Sequence, residues 1–225
     1  VNNNWPNELL EQTKAAKQPE FHTTLLRLAK DAELPQPLWT YSIEPEERGL
    51  EVWVHRLAQS GRRAYTTAAA AAARYVYPIS IERGGEMAHE YGFHEDDISM
   101  DGEPLGMQVK RVETWLESPT EDNLLAVEIS IDPSRQLNVW DDDLYPSDDD
   151  MWFWFLEVAH LTALAATAPE EWGDGRVEES YTWPAQVCAA RAVVCALKTI
   201  RTPDGDIASD TRILASAIAD AFHKA

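Results

Sequence analysis

The sequence predicts an all-α fold, a multi-helix bundle of antiparallel helices with one irregular acidic loop region. Three observations carry this reading. Apolar residues recur at helical spacing along most of the 225 residues. Six consecutive alanines, 68–73, form a strongly helix-favouring run. Alternating patterns that would suit a strand are confined to Ile79-Ser80-Ile81 and Glu128-Ile129-Ser130-Ile131, and the second sits better in a helix.

Taken in order, Pro6 stands where a first helical turn tolerates proline, and Leu9, Leu10 and Thr13 follow at helical spacing. Pro19 opens a second stretch containing Leu25, Leu26, Leu28 and Ala29, which Pro35 and Pro37 break. Pro45, Glu46 and Glu47 suit a helix start, where acids face the positive end of the macrodipole, and Leu50, Val54 and Leu57 then line one side. Gly61 interrupts this helix. The next is expected over 62–77, ending before Pro78, and its alanines permit close approach by a neighbour.

From 79 to 104 the periodicity fades, and Gly84, Gly85, Gly92 and Gly102 mark loops. Helical spacing returns over 105–117 with Val109, Val112 and Leu116. Ser118-Pro119-Thr120-Glu121 reads as a capping box, with Ser118 as the cap, ahead of Leu124, Leu125, Val127 and Ile131. The most apolar helix is expected over 151–166, apolar on every side and therefore central. Residues 169–180 read as a loop. Trp183 and Pro184 open a helix running to Lys198, Pro203-Asp204-Gly205 is a turn, and 207–222 is the last helix. The whole is read as one helical domain, 1–225, with an N-terminal subdomain over 1–78 and a C-terminal helical core over 105–225 as the subdivision to test.

Composition narrows the function. Formal charge is −20, and residues 86–150 hold 19 acids against Lys110, Arg111 and Arg135, a local charge of −16. A field so concentrated repels nucleic acid and attracts cationic surfaces. No run of about 18 apolar residues exists to span a membrane. Residues 1–6 lack the basic and apolar regions of a signal peptide, so a cytoplasmic location is expected. Cys188 and Cys195, seven apart on one helix, are separated by about 10 Å along its axis, too far for a disulfide. They are expected to be buried free thiols rather than metal ligands.

Three constellations could carry chemistry. The first is Trp140, Asp141, Asp142, Asp143, Tyr145, Asp148, Asp149 and Asp150, two acidic triplets with aromatic residues among them. Hard cations want clustered carboxylates, but the alternating acids, central glycine and terminal glutamate of an EF-hand are missing. The second half of a terpene-synthase metal site is missing too. Solvated charge, helix capping by the second triplet and contact with a partner protein are the other readings, and the aromatic anchors amid a charged rim suit the last.

The second constellation is His89, Glu90, His94, Glu95, Asp96 and Asp97, whose five-residue histidine spacing does not fit a helical zinc site. The third is Glu157 and His160, with the Glu-x-x-His spacing of di-iron bundles. Such a site needs a second copy and two further glutamates, so a core histidine hydrogen-bonded to a neighbour is the favoured reading. No nucleophile elbow, phosphate loop or dinucleotide fingerprint is present. No catalytic residue, metal or cofactor is therefore assigned.

Three segments stand in an order that resembles a known family: Trp53-Val54-His55-Arg56-Leu57-Ala58, Val109-Lys110-Arg111-Val112-Glu113-Thr114-Trp115-Leu116-Glu117, and Cys188-Ala189-Ala190-Arg191-Ala192-Val193-Val194. They resemble the helical immunity-type proteins of bacterial polymorphic toxin systems, over about a third of the chain. The resemblance implies a protein that binds and neutralises a cognate toxin without catalysis. Charge points the same way, because an acidic inhibitor gains association rate and selectivity against a basic toxin. The expected partner is thus a basic protein, not nucleic acid or membrane. The competing reading is an enzyme with a helical pocket near Glu157 and His160.

Overall fold

A computed structural model describes residues 5–31, 44–90, 104–136, 151–170, 183–201 and 205–224; the side chains of 81, 83–90, 104–105, 132–136 and 151–156 fall outside the description. Among these residues there are nine α-helices, one 3-10 turn and no strand, so the fold is the all-α bundle the spacing predicts. The helices are α1 (Asn7–Ala15), α2 (Phe21–Asp31), α3 (Pro45–Leu57), α4 (Arg62–Glu90), α5 (Pro104–Glu117), α6 (Glu121–Gln136), α7 (Met151–Thr167), α8 (Ala185–Ile200) and α9 (Ile207–Lys224).

Local signals set most boundaries. Pro45 is the first residue of α3, and a reciprocal capping box links Glu44 and Glu47, with the Glu44 N–H donating to Glu47 Oε2 at 3.3 Å. Asp206 Oδ1 accepts the Ala208 N–H at 3.1 Å and so caps α9. After α3 a single 3-10 turn ends at Gly61, whose φ of 92° is open to glycine and strained for other residues. At Gly49 a Cβ would lie 2.3 Å from the Leu25 carbonyl oxygen, so only glycine lets α3 approach the α2 backbone this closely.

Two boundaries depart from the sequence reading. The helix expected to stop before Pro78 continues as α4 to Glu90, through the Gly84-Gly85 pair and through the strand candidate Ile79-Ser80-Ile81. Proline removes one backbone donor and costs about 3 kcal/mol in a helix interior. Against that cost stands the deep packing of the preceding turns, where Ala64, Ala68, Ala69, Ala72, Ala73 and Val76 are all fully buried. Beside the lost bond, Ser80 Oγ donates to the Tyr77 carbonyl at 2.7 Å. The cap of α6 is also shifted. It is Thr120, not Ser118: Thr120 Oγ1 accepts the Asn123 N–H at 3.3 Å, while Asn123 Nδ2 donates to the Ser118 carbonyl at 2.7 Å. Pro119 stands between the two candidates, and the helix begins at Glu121, leaving that glutamate in the first position rather than the third.

The main core draws on α1, α2, α3, α4, α7, α8 and α9, with Val109 from α5, and runs from Leu9 to Phe222. Helix α7 packs against α4, α5, α6 and α8, the central position expected of it. The alanine stripe of α4 lies between α7 and α8, and small side chains on both sides bring the axes close. Aromatic side chains pack in the same core: Phe21 meets Trp53 edge-on at 5.2 Å, and Trp5 meets Phe222 at 5.3 Å. Full burial of such a side chain contributes about 1.5–3 kcal/mol.

The hairpin α5–α6 carries a smaller second core, in which Val112, Trp115, Val127 and Ile131 meet Ala70 of α4 and Ala163 and Ala166 of α7. The start of α4 ties this layer to the rest. Arg62 donates to the Ala166 carbonyl at 2.7 Å, Thr66 to Ala165 at 3.0 Å, and Arg63 to Leu116 at 2.9 Å. These carbonyls belong to the last turns of α7 and α5, which have no intrahelical donors.

Candidate functional site: a buried seam of carboxylates, cations and thiols

The acidic stretch singled out from the sequence, with its aromatic residues (Trp140, Asp141, Asp142, Asp143, Tyr145, Asp148, Asp149 and Asp150), lies outside the described residues. So do 91–97 of the histidine-containing cluster, while His89 and Glu90 belong to α4 with undescribed side chains. Within residues 86–150 the described side chains are those of the α5–α6 hairpin, where Glu117, Glu121, Asp122 and Glu128 are exposed.

A different charged group lies inside the bundle. Helix α8 is buried along its whole length apart from Gln186, yet carries Arg191 and Lys198. Positions 188, 191, 195 and 198 fall on one stripe of a helix, so Cys188, Arg191, Cys195 and Lys198 share a face. Opposite, α3 carries Glu47 and Glu51, four apart on one face and both wholly buried. Lys198 Nζ lies 3.6 Å from Glu47 Oε1, and Arg201 approaches the same oxygen at 3.6 Å and Glu44 at 3.7 Å. An uncompensated buried charge would cost several kcal/mol, so these carboxylates and cations hold α3 and α8 in a single register.

Glu157 of α7 completes the seam. Although its edge reaches solvent, burial of the carboxyl pushes its pKa up to about 7, against the opposing field of the Arg191 guanidinium. Arg191 stacks on Trp183, 3.2 Å from the ring centroid, a cation–π contact in a desolvated setting. Cys188 Sγ donates to the Trp183 carbonyl at 3.6 Å.

Burial pushes the Cys188 thiol up to about 12 and the Cys195 thiol well above its ordinary value. Thiolates, not thiols, are the nucleophiles, so both cysteines are inert core residues. They are free and buried, as their spacing predicts. Tyr65 of α4 likewise stays protonated, its pKa pushed up to about 12 chiefly by burial.

Chemically, a carboxyl poised near neutrality beside a fixed guanidinium is what general acid–base catalysis uses. Among the described residues no three His, Cys, Asp or Glu converge. The Glu-x-x-His spacing at Glu157 and His160 does have a second copy in the chain, Glu86 and His89 near the end of α4, which the sequence reading overlooked; those side chains lie outside the described residues.

The seam itself was also missed. Isolated acids at 47 and 51 look like the solvated face of α3, and only the packing of α3 on α8 turns them inward. Arg191 was legible in principle, as the one charge within the run Val187–Leu197.

The three segments resembling immunity-type proteins contribute mainly packing: Trp53, Val54 and Leu57, Val109, Val112 and Trp115, and 188–194 are all buried. No protein-family model, curated protein or solved structure matches the chain. No helix among the described residues is long and apolar enough to cross a membrane.

Proposed function

We propose that the chain is a non-catalytic acidic binding protein of the immunity type, which neutralises a basic cognate toxin in the bacterial cytoplasm. The observation that carries this reading is the charge of −16 confined to residues 86–150, whereas the other 160 residues carry −4. Solubility requires net charge but not its concentration in one stretch. A local field of this size raises the association rate with a cationic partner and suppresses binding to anionic ones. Exposure of Glu117, Glu121, Asp122 and Glu128 supports the reading, because it presents part of that charge to solvent. Trp140 and Tyr145, among the aspartates, supply the aromatic anchors such an interface uses.

An inhibitor of this kind is encoded beside its toxin. Co-expression of the adjacent gene's product with and without this chain tests the proposal. Growth arrest by the neighbour alone and rescue by this chain are the expected results; a neighbour that is harmless, or toxic regardless of this chain, contradicts it.

One observation favours a second reading, an enzyme with a helical pocket near Glu157 and His160: the Glu157 pKa of about 7 next to Arg191. Under that reading a metabolite screen by thermal shift gives a stabilising hit that Glu157→Gln removes. Under the binding reading it gives none.

A further inference from the structure

Three large apolar side chains are exposed among the described residues: Leu125, Ile129 and Ile213. Two of them are neighbours. Leu125 and Ile129 stand four apart on α6 and are 52% and 56% exposed, so they form one apolar ridge rather than scattered contacts. Glu121, Asp122 and Glu128, all exposed, fall on the same side of the helix. At 3.6 residues per turn these five positions occupy an arc of about 120° and a length of about 12 Å. The opposite side is already used, since Val127, Ser130 and Ile131 face the second core. Within the arc there is no basic residue.

Resting on the binding function proposed above, we infer that the outer face of α6 is a docking surface for a basic amphipathic helix of the partner. Its Leu or Ile side chains, spaced three and four apart, pack on Leu125 and Ile129, while flanking Lys or Arg meet Glu121, Asp122 and Glu128. This is the helix-against-helix mode of peptide recognition, in which apolar anchors give affinity and rim charges give selectivity. Charge complementarity decides the occupant. A second copy of α6 would set its acids against identical acids, and the chain's own segment 137–150 holds six aspartates and no base. Both have the wrong sign.

The test uses the full chain and two labelled peptides of about 18 residues, long enough to cover the ridge as a helix. One is a lysine–leucine peptide with its leucines on one helical face. The other has the same composition shuffled to remove that face. Fluorescence anisotropy is read at low salt and at about 0.15 M. Wild type is expected to bind the amphipathic peptide at least tenfold more tightly than the shuffled one at the higher salt. Leu125→Ser/Ile129→Ser, which changes only exposed side chains, is expected to remove that advantage while leaving the shuffled peptide's affinity unchanged.

If the double variant binds both peptides as wild type does, the α6 surface is overturned, and the acidic binding function stands on salt-dependent binding alone. If neither peptide binds even at low salt, the binding function fails and the α6 surface with it. Self-association of wild type that the double variant abolishes would place a second copy on α6 and overturn the choice of partner.

Discussion

Lys198 of α8 and Glu47 of α3 face each other at 3.6 Å in the interior, the lysine 7% and the carboxylate 0% exposed at their side chains. A surface pair of this kind contributes little, but a buried one makes each partner depend on the other. Arg201, which reaches the same carboxylate from the rim, is 40% exposed and less constrained.

Removing one partner is therefore more damaging than removing both. Lys198→Met is expected to lower stability by about 3 kcal/mol, the low end for breaking a buried pair, since it leaves the partly exposed Arg201 as the cation facing Glu47. Combined with Glu47→Leu, the loss is expected to be smaller than the sum of the two single losses by at least about 1 kcal/mol. Urea denaturation of the four proteins measures this, and strict additivity would show that the two groups do not interact.

The seam also makes stability depend on pH in an unusual direction. The Glu157 carboxyl has its folded pKa raised from 4.5 to about 7, so between those values the folded state holds a proton that the unfolded state has released. The unfolded state binds fewer protons, and stability falls as pH rises. The contribution is fully present below pH 4.5 and lost as pH passes through 7. Subtracting Glu157→Gln from wild type isolates it. The difference is expected to fall by a few kcal/mol across that window, at about 1.4 kcal/mol per pKa unit, and to stay flat above it. A flat difference throughout would mean that the carboxyl is solvated in the folded protein.

Cys188 and Cys195 are expected to resist thiol reagents in the native protein and to titrate as two free thiols once it is unfolded without reductant. Both are buried on α8, and their high pKa values remove the thiolate that such reagents attack. Rapid labelling of the native protein would contradict the packing of α8 against α3, α4 and α7.

How far the sequence was readable follows from these cases. The cysteines were legible because a seven-residue spacing in an apolar helix fixes both their face and their separation. The same logic located α3 through Leu50, Val54 and Leu57, and α5 through Val109 and Val112. Pro78 misled because local propensity opposes a helix there, whereas the buried alanines before it, packed between α7 and α8, favour one. The Ser118 cap misled because Ser118 and Thr120 are both good capping residues, and the start at Glu121 selects Thr120 although no Glu or Gln follows it three residues on. Glu47 and Glu51 were not legible as core residues at all. Glu47 is paired with Lys198 and Arg201, about 150 residues further along the chain, and Glu51 is buried beside it on the same face; no local pattern carries that packing.

The central claim is that the acidic stretch steers a basic partner onto this bundle. Its most direct test is the association rate constant with the adjacent gene's product, measured by stopped flow at low and physiological salt, for wild type and for a variant with Asp141, Asp142 and Asp143 replaced by Asn. Wild type is expected to associate at least tenfold faster at low salt than at about 0.15 M, because charges are screened beyond about 8–10 Å. The Asn variant is expected to be slower at low salt and less sensitive to salt, with its folding intact by circular dichroism. Equal rates and equal salt dependence for the two proteins would contradict the claim and leave the aspartates as solvating charge alone.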